Sequence, residues 1–110
     1  MKMVRVEALY IENTEPKHDS KICILGGIDD ELRLKKGPWY GHMFDEKVTS
    51  PFQLRDHGEI FWGYEDHASS TSNIDKKPMR VGELFTLNEI SEDKKTVDYV
   101  YRIIAVNQIM

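Results

Sequence analysis

Val4, Val6, Ala8 and Tyr10 alternate with Arg5, Glu7 and Leu9, a period of two that predicts a strand with one buried face. The stretch that follows, ENTEPKHDS (12–20), contains Asn13, Pro16, Asp19 and Ser20 and reads as a turn. KICILGGI (21–28) is a continuous β-branched and apolar run, the pattern of a central strand covered on both faces. Cys23 inside it reads as a small buried thiol, with no positive charge or helix start nearby to favour a thiolate.

DDELRLKKG (29–37) has acids leading and bases following, with Gly37-Pro38 to stop it, which suits a short helix. Leu32 and Leu34 are two apart, so a strand is the competing reading. The Gly26-Gly27 pair before it is no phosphate loop, because Asp29, Asp30 and Glu31 would repel phosphate and no Lys-Ser/Thr follows. In SPFQ (50–53) Ser50 can cap, Pro51 suits the first helical position and Gln53 can reach back. A two-turn helix over 51–57 follows, ended by Gly58 in the left-handed conformation.

From Glu59 the pattern returns to strand, with Ile60, Trp62 and Tyr64 on one face and Glu59, Phe61 and Glu65 on the other. ASSTSNIDKKP (68–78) reads as a polar loop. MRVGELFTLNEI (79–90) places Val81, Phe85 and Leu87 on one face, with a bulge or bend near Gly82. After the polar turn SEDKK, TVDYVYRIIAV (96–106) sets Val97, Tyr99, Tyr101 and Ile103 on one face. These two segments predict a long antiparallel hairpin. The expected fold is α+β and mainly β, with residues 1–110 as a single domain. Its architecture is a strongly bent antiparallel sheet or small half-open barrel of about five strands, with one or two short helices against it.

Composition narrows the class only slightly. Across 110 residues, 40% are hydrophobic and 31% charged, which is globular rather than disordered territory. The longest apolar run, Ile22 to Ile28, is too short to cross a bilayer, and Arg5 and Glu7 interrupt any signal-peptide core. A single cysteine excludes an internal disulfide and demands no oxidising compartment. A cytoplasmic protein without membrane association is the expectation.

Charge is more informative than composition, because the net charge of -4 is uneven. Residues 38–75 hold only Lys47 and Arg55 against Asp45, Glu46, Asp56, Glu59, Glu65, Asp66 and Asp75. Such a segment disfavours nucleic acid as a partner, since phosphates need a basic patch. A basic partner would be drawn to it instead, most strongly at low salt; the competing reading is a solvated acidic face.

The chemistry-bearing residues cluster in DHGEIFWGYEDH (56–67). Run as one strand, His57 and His67 would stand roughly 33 Å apart at ~3.3 Å per residue, far beyond what one zinc ion spans. Only a hairpin folded at Gly63 would bring them together, and Trp62 and Tyr64 make that a poor tight turn. No metal and no cofactor are therefore expected. Asp56, His57 and Glu59 have the residue types for acid/base work, but no activated nucleophile accompanies them. GPWYGHMF (37–44) lacks periodicity and reads as a loop carrying large apolar side chains, either covering the core or forming a contact surface.

The resulting expectation is a small interaction protein rather than an enzyme, acidic and aromatic in its middle. It would bind a basic protein, as a bacterial inhibitor or immunity-type protein does, or pair with itself. Its contact residues would be Trp39, Tyr40, His57, Glu59, Phe61 and Glu65. The alternative is a small-molecule-binding barrel or minor enzyme with a pocket lined by Trp39, Tyr40, His57 and Trp62.

Overall fold

A computed structural model describes residues 1–63, 69–90 and 95–110, together with the backbone but not the side chain of Ser69. The described residues form eight strands: β1 (Lys2–Glu12), β2 (Glu15–Ile28), β3 (Trp39–Asp45), β4 (Val48–Leu54), β5 (Glu59–Phe61), β6 (Ser69–Ser72), β7 (Leu84–Ile90) and β8 (Thr96–Gln108). Each pairs antiparallel with the next, and β8 pairs back to β1, so the sheet closes into an up-and-down barrel. Mainly-β character is as expected. A half-open sheet of five strands with helices is not what forms.

Closure follows from the rows of side chains. Val4, Val6 and Ala8 on β1, Ile22 and Ile24 on β2, Phe52 and Leu54 on β4, Phe85 and Leu87 on β7, and Tyr101 and Ile103 on β8 are all buried together. Every row is a period-two series, and only a sheet curled on itself points them all at one core. Among the described residues the sheet has no edge at the β1–β8 seam, which answers the edge-strand problem by closure.

Five expectations of local structure are corrected. The polar loop predicted at 68–78 contains strand β6, paired on both sides, and a 3-10 turn at Ile74–Lys76. The turn predicted at 12–20 shrinks to Asn13 and Thr14, whose φ of 51° and 69° suit a type I′ two-residue hairpin; Pro16 and Lys17 already pair with Ile11 and Tyr10. The helix predicted at 29–36 is absent. Asp29 Oδ1 instead accepts from the Glu31 and Arg33 amides at 2.8 and 3.0 Å, a side-chain competitor for helical hydrogen bonds, and Leu34 bridges to Ile28.

The helix predicted at 51–57 is strand β4 followed by a single 3-10 turn at Asp56–Gly58. Pro51 sits on the stretch of β4 that β5 does not reach, and such edges are where a sheet tolerates proline. The loop predicted at 37–44 is strand β3, its inner row being Trp39, Gly41, Met43 and Asp45. At Gly41 a Cβ would overlap the Cys23 carbonyl oxygen, so the close β2–β3 approach removes the apolar side chain that would have marked the row.

The predicted C-terminal hairpin is present, with Ile90 opposite Thr96. Phe85, Leu87, Tyr101 and Ile103 are buried as expected and Tyr99 partly so. Val81, expected on the same face, is 65% exposed and precedes the strand; Gly82 is a bend at φ 94°.

The alternation of strands gives the barrel two unlike ends. One gathers the β2–β3, β4–β5 and β6–β7 connections and is plugged by Ile74 and Met79, both buried, with Leu34 and Trp39 packed against the core. The other gathers the short hairpins β1–β2 and β3–β4 and the run-out of β7 into β8. No helix among the described residues is long and apolar enough to cross a membrane.

Candidate functional site

The residues singled out in the sequence fall into two places. Trp39 and His57 line a groove at the plugged end, about 310 Å³ in volume, with Lys35, Lys36, Arg55, Asp56 and Asp75 among its other walls. Much of that polar machinery is spent on structure. Trp39 Nε1 donates to the Lys35 carbonyl at 2.6 Å. Asp56 accepts from the Gly37 amide at 3.2 Å and lies 3.9 Å from Lys36 Nζ, so this carboxylate anchors the β2–β3 connection. The charge count of 38–75 also changes in space, because Lys35 and Lys36 come from outside the acidic segment.

Tyr40, Glu59 and Phe61 lie on the outer wall. Tyr40 pairs across to Gln53, and Gln53 to Phe61. Gln53 Nε2 donates to the Tyr40 hydroxyl at 3.3 Å, and Arg55 Nε donates to Gln53 Oε1 at 2.7 Å. The Arg55 guanidinium lies 4.1 Å from the Phe61 ring centroid, a cation–π distance, and its Nη1 is 3.5 Å from Glu59 Oε1. Tyr40 and Phe61 remain 58% and 40% exposed. Trp62 is apart from this strip, packing edge-on against Phe52 and donating to Ser70 Oγ at 2.9 Å. Glu65, Tyr64 and His67 lie outside the described residues, and so does most of the SEDKK turn. Among the described residues, no group of three His, Cys, Asp or Glu side chains gathers as a metal site would require.

The hairpin end holds a site that the sequence reading missed. A cavity of about 180 Å³ opens there, lined by Tyr10, Ser20, Met43, Phe44, Asp45, Leu87, Glu89, Tyr99 and Tyr101. Tyr10 meets Tyr99 with ring centroids 5.7 Å apart at 67° and Tyr101 at 5.8 Å and 51°, so the rings form angled walls. Tyr101 stacks on Phe85 behind it. Ser20 Oγ donates to Asp45 Oδ1 at 3.1 Å. Burial pushes the Tyr101 hydroxyl well above the usual phenol range, and the negative charges of Asp45 and Glu89 push it further. Tyr99 is raised in the same direction by burial first and Glu89 second.

One further group tests an expectation. Cys23 is buried on the outer side of β2, and Arg5 and Lys21 do stand near it. Burial outweighs them, so its thiol is raised rather than lowered, and thiols, unlike thiolates, are poor nucleophiles. Cys23 should resist an alkylating reagent in native buffer and react fully in denaturant. Rapid native labelling, followed by mass spectrometry, would show that the outer face of β1–β3 opens readily.

Together these features define a closed eight-stranded meander barrel, plugged at one end and carrying, among the described residues, a tyrosine-lined cavity at the other. No protein-family model, curated protein or solved structure matches the chain.

Proposed function

We propose that this protein is a binding barrel whose ligand enters the tyrosine-lined mouth. The observation that supports this reading is Tyr101. Tyr101 is only 4% exposed as a residue and lines the cavity, yet its hydroxyl has, among the described residues, only the Met43 thioether as partner, at 3.9 Å. Sulfur is a weak acceptor, and leaving a buried hydroxyl poorly satisfied costs about 1–3 kcal/mol. Phenylalanine would fill the same space without that cost. A ligand in the adjoining cavity supplies the missing partner, and eight-stranded barrels have room inside for side chains or one small ligand.

Tyr101→Phe should accordingly leave stability unchanged or raised, while weakening whatever fragments bind the mouth. The measurement is a fragment screen by amide chemical-shift mapping, paired with urea unfolding of both proteins. Shifts centred on Tyr10, Met43, Leu87 and Tyr99 are expected. A Tyr101→Phe variant destabilised by more than about 1 kcal/mol would make the hydroxyl structural, and the mouth reading would fall.

A second reading is favoured by the outer strip. Tyr40 and Phe61 are exposed aromatics held in place by Gln53 and Arg55, and aromatic and Arg side chains are the usual anchors of protein contacts. On this reading the chain engages a basic protein or a second copy of itself through β3–β5. Ligand shifts absent from the mouth, with broadening at Tyr40 and Phe61 as protein concentration rises, would favour it.

A further inference from the structure

We propose that the groove at the plugged end is a second binding site, one that takes a small zwitterion: an amino acid offering an ammonium and a carboxylate together. Asp75 carries this inference. It forms part of the groove wall, yet its Oδ1 is buried with no hydrogen-bond partner among the described residues. The connections that bound this end, 29–38, 55–58 and 73–83, are described throughout. Buried acceptors are normally paired, and an unpaired one on a charged group is the costliest kind. A carboxylate that closes no contact of the fold is available to a donor from outside it. The soft χ2 torsion of aspartate lets the group turn toward a donor standing in the groove.

The other charged groups of the groove are engaged, with one exception. Lys36 Nζ lies 3.9 Å from Asp56, which also accepts from the Gly37 amide. Arg55 is drawn away onto Glu59, Gln53 and the Phe61 ring. Lys35 differs. Its amide donates to the Gly27 carbonyl at 2.9 Å and its carbonyl accepts from Trp39 Nε1, so its backbone is pinned at the groove wall. Its ammonium forms no ion pair among the described residues, with Asp75 or any other acid. One groove thus holds a cation and an anion that do not meet. A singly charged guest would satisfy one of them and leave the other; a zwitterion satisfies both. Leu34, Trp39 and Leu54 supply apolar surface for its carbon chain, and opposite charges attract more strongly beside such a wall than in bulk water. The volume of about 310 Å³ stands at the small end of ligand sites, roughly 300–1,000 Å³.

The test titrates the full chain, labelled for amide shifts, with glycine, 4-aminobutyrate and 6-aminohexanoate. Each is set beside two analogues in which a methyl group replaces the ammonium or the carboxylate. At least one amino acid should saturate shifts at Leu34, Gly37, Leu54 and His57, with an affinity ~10-fold or more above both its analogues. Preference for glycine would mean an α-amino acid, and preference for a longer chain would mean separated charges. Asp75→Asn should shrink the advantage over the ammonium-free analogue, and Lys35→Gln the advantage over the carboxylate-free one. The urea midpoint of Asp75→Asn should not fall, because no partner is lost. A marked fall would make the carboxylate structural and overturn the site. So would analogues that bind as well as their amino acids, advantages unmoved in both variants, or no shift at the groove with any compound. None of these results bears on the tyrosine mouth, whose reporting residues lie at the other end of the barrel.

Discussion

Ile103→Ala should lower the stability of the folded chain by about 2–5 kcal/mol, the usual cost of truncating a buried isoleucine to alanine. Ile103 is 0% exposed and faces the buried Ala8 across the β1–β8 seam. Its backbone is tied on the other side, where its amide donates to the Glu83 carbonyl at 2.9 Å and its carbonyl accepts from Gly82 at 2.8 Å. With both neighbours fixed, the wall around a truncated side chain has little freedom to collapse, and cavities that cannot collapse cost most. Total stability for such a domain is about 5–15 kcal/mol, so the loss is a large share of it. Ile104, one residue on and 42% exposed, is the internal control. Ile104→Ala should fall within about ±0.5 kcal/mol. Urea midpoints for the two variants should therefore separate widely at similar slopes; equal midpoints would mean that the faces of β8 are reversed.

That contrast depends on a face assignment already readable in the sequence. In β1, β5, β7 and β8 a buried apolar row alternates with a polar or exposed one, so period two is visible, while β2 shows itself by a continuous apolar run. The unread strands break that pattern for separate physical reasons. β3 loses an apolar position to Gly41, where the β2 backbone comes too close for a side chain. β4 hides behind Ser50 and Pro51, which mimic a helix start in a segment whose neighbours dictate pairing. β6 is a row of hydroxyls. Ser70 and Ser72 are buried nonetheless, because Trp62 donates to one and the other donates to the Thr86 carbonyl at 2.8 Å. Satisfied hydroxyls can enter a core, but nothing in their sequence distinguishes them from a loop.

The candidate site was legible in residue types more than in place. Trp39 and His57 do meet at one end of the barrel, and Tyr40, Glu59 and Phe61 do share an outer face. A count along residues 38–75 includes Arg55 but says nothing of where charges meet: Lys35 and Lys36 arrive from the preceding connection, and Arg55 turns back onto Glu59. The tyrosine mouth did leave a trace. Continuing the alternation of Phe85 and Leu87 by one step lands on Glu89, an acid at an inward position. An inward-facing acid at a strand end, beside Tyr99 and Tyr101 on the partner strand, marks a wet rim rather than a packed core.

The plugged end rests on a second backbone constraint, and Gly58→Ala should expose it. Gly58 is buried at φ 77° in the turn between β4 and β5. A Cβ there would overlap the Ser72 carbonyl oxygen and come within 3.3 Å of Asp75 Oδ1. Two costs are then incurred, roughly 1–2 kcal/mol for holding an L-residue at positive φ and roughly 1–3 kcal/mol for forced overpacking. Gly82→Ala separates them. Gly82 has φ 94° but open space around it, so only the conformational cost applies. Urea unfolding should rank the variants with Gly58→Ala clearly below Gly82→Ala and both below the parent chain. His57 supplies the opposite sign: it is exposed at φ 62°, and His57→Gly should leave stability within about 1 kcal/mol of the parent. If Gly58→Ala matched Gly82→Ala, the close packing of the 56–58 turn on Ser72 would be wrong, and with it the account of how this end of the barrel is closed.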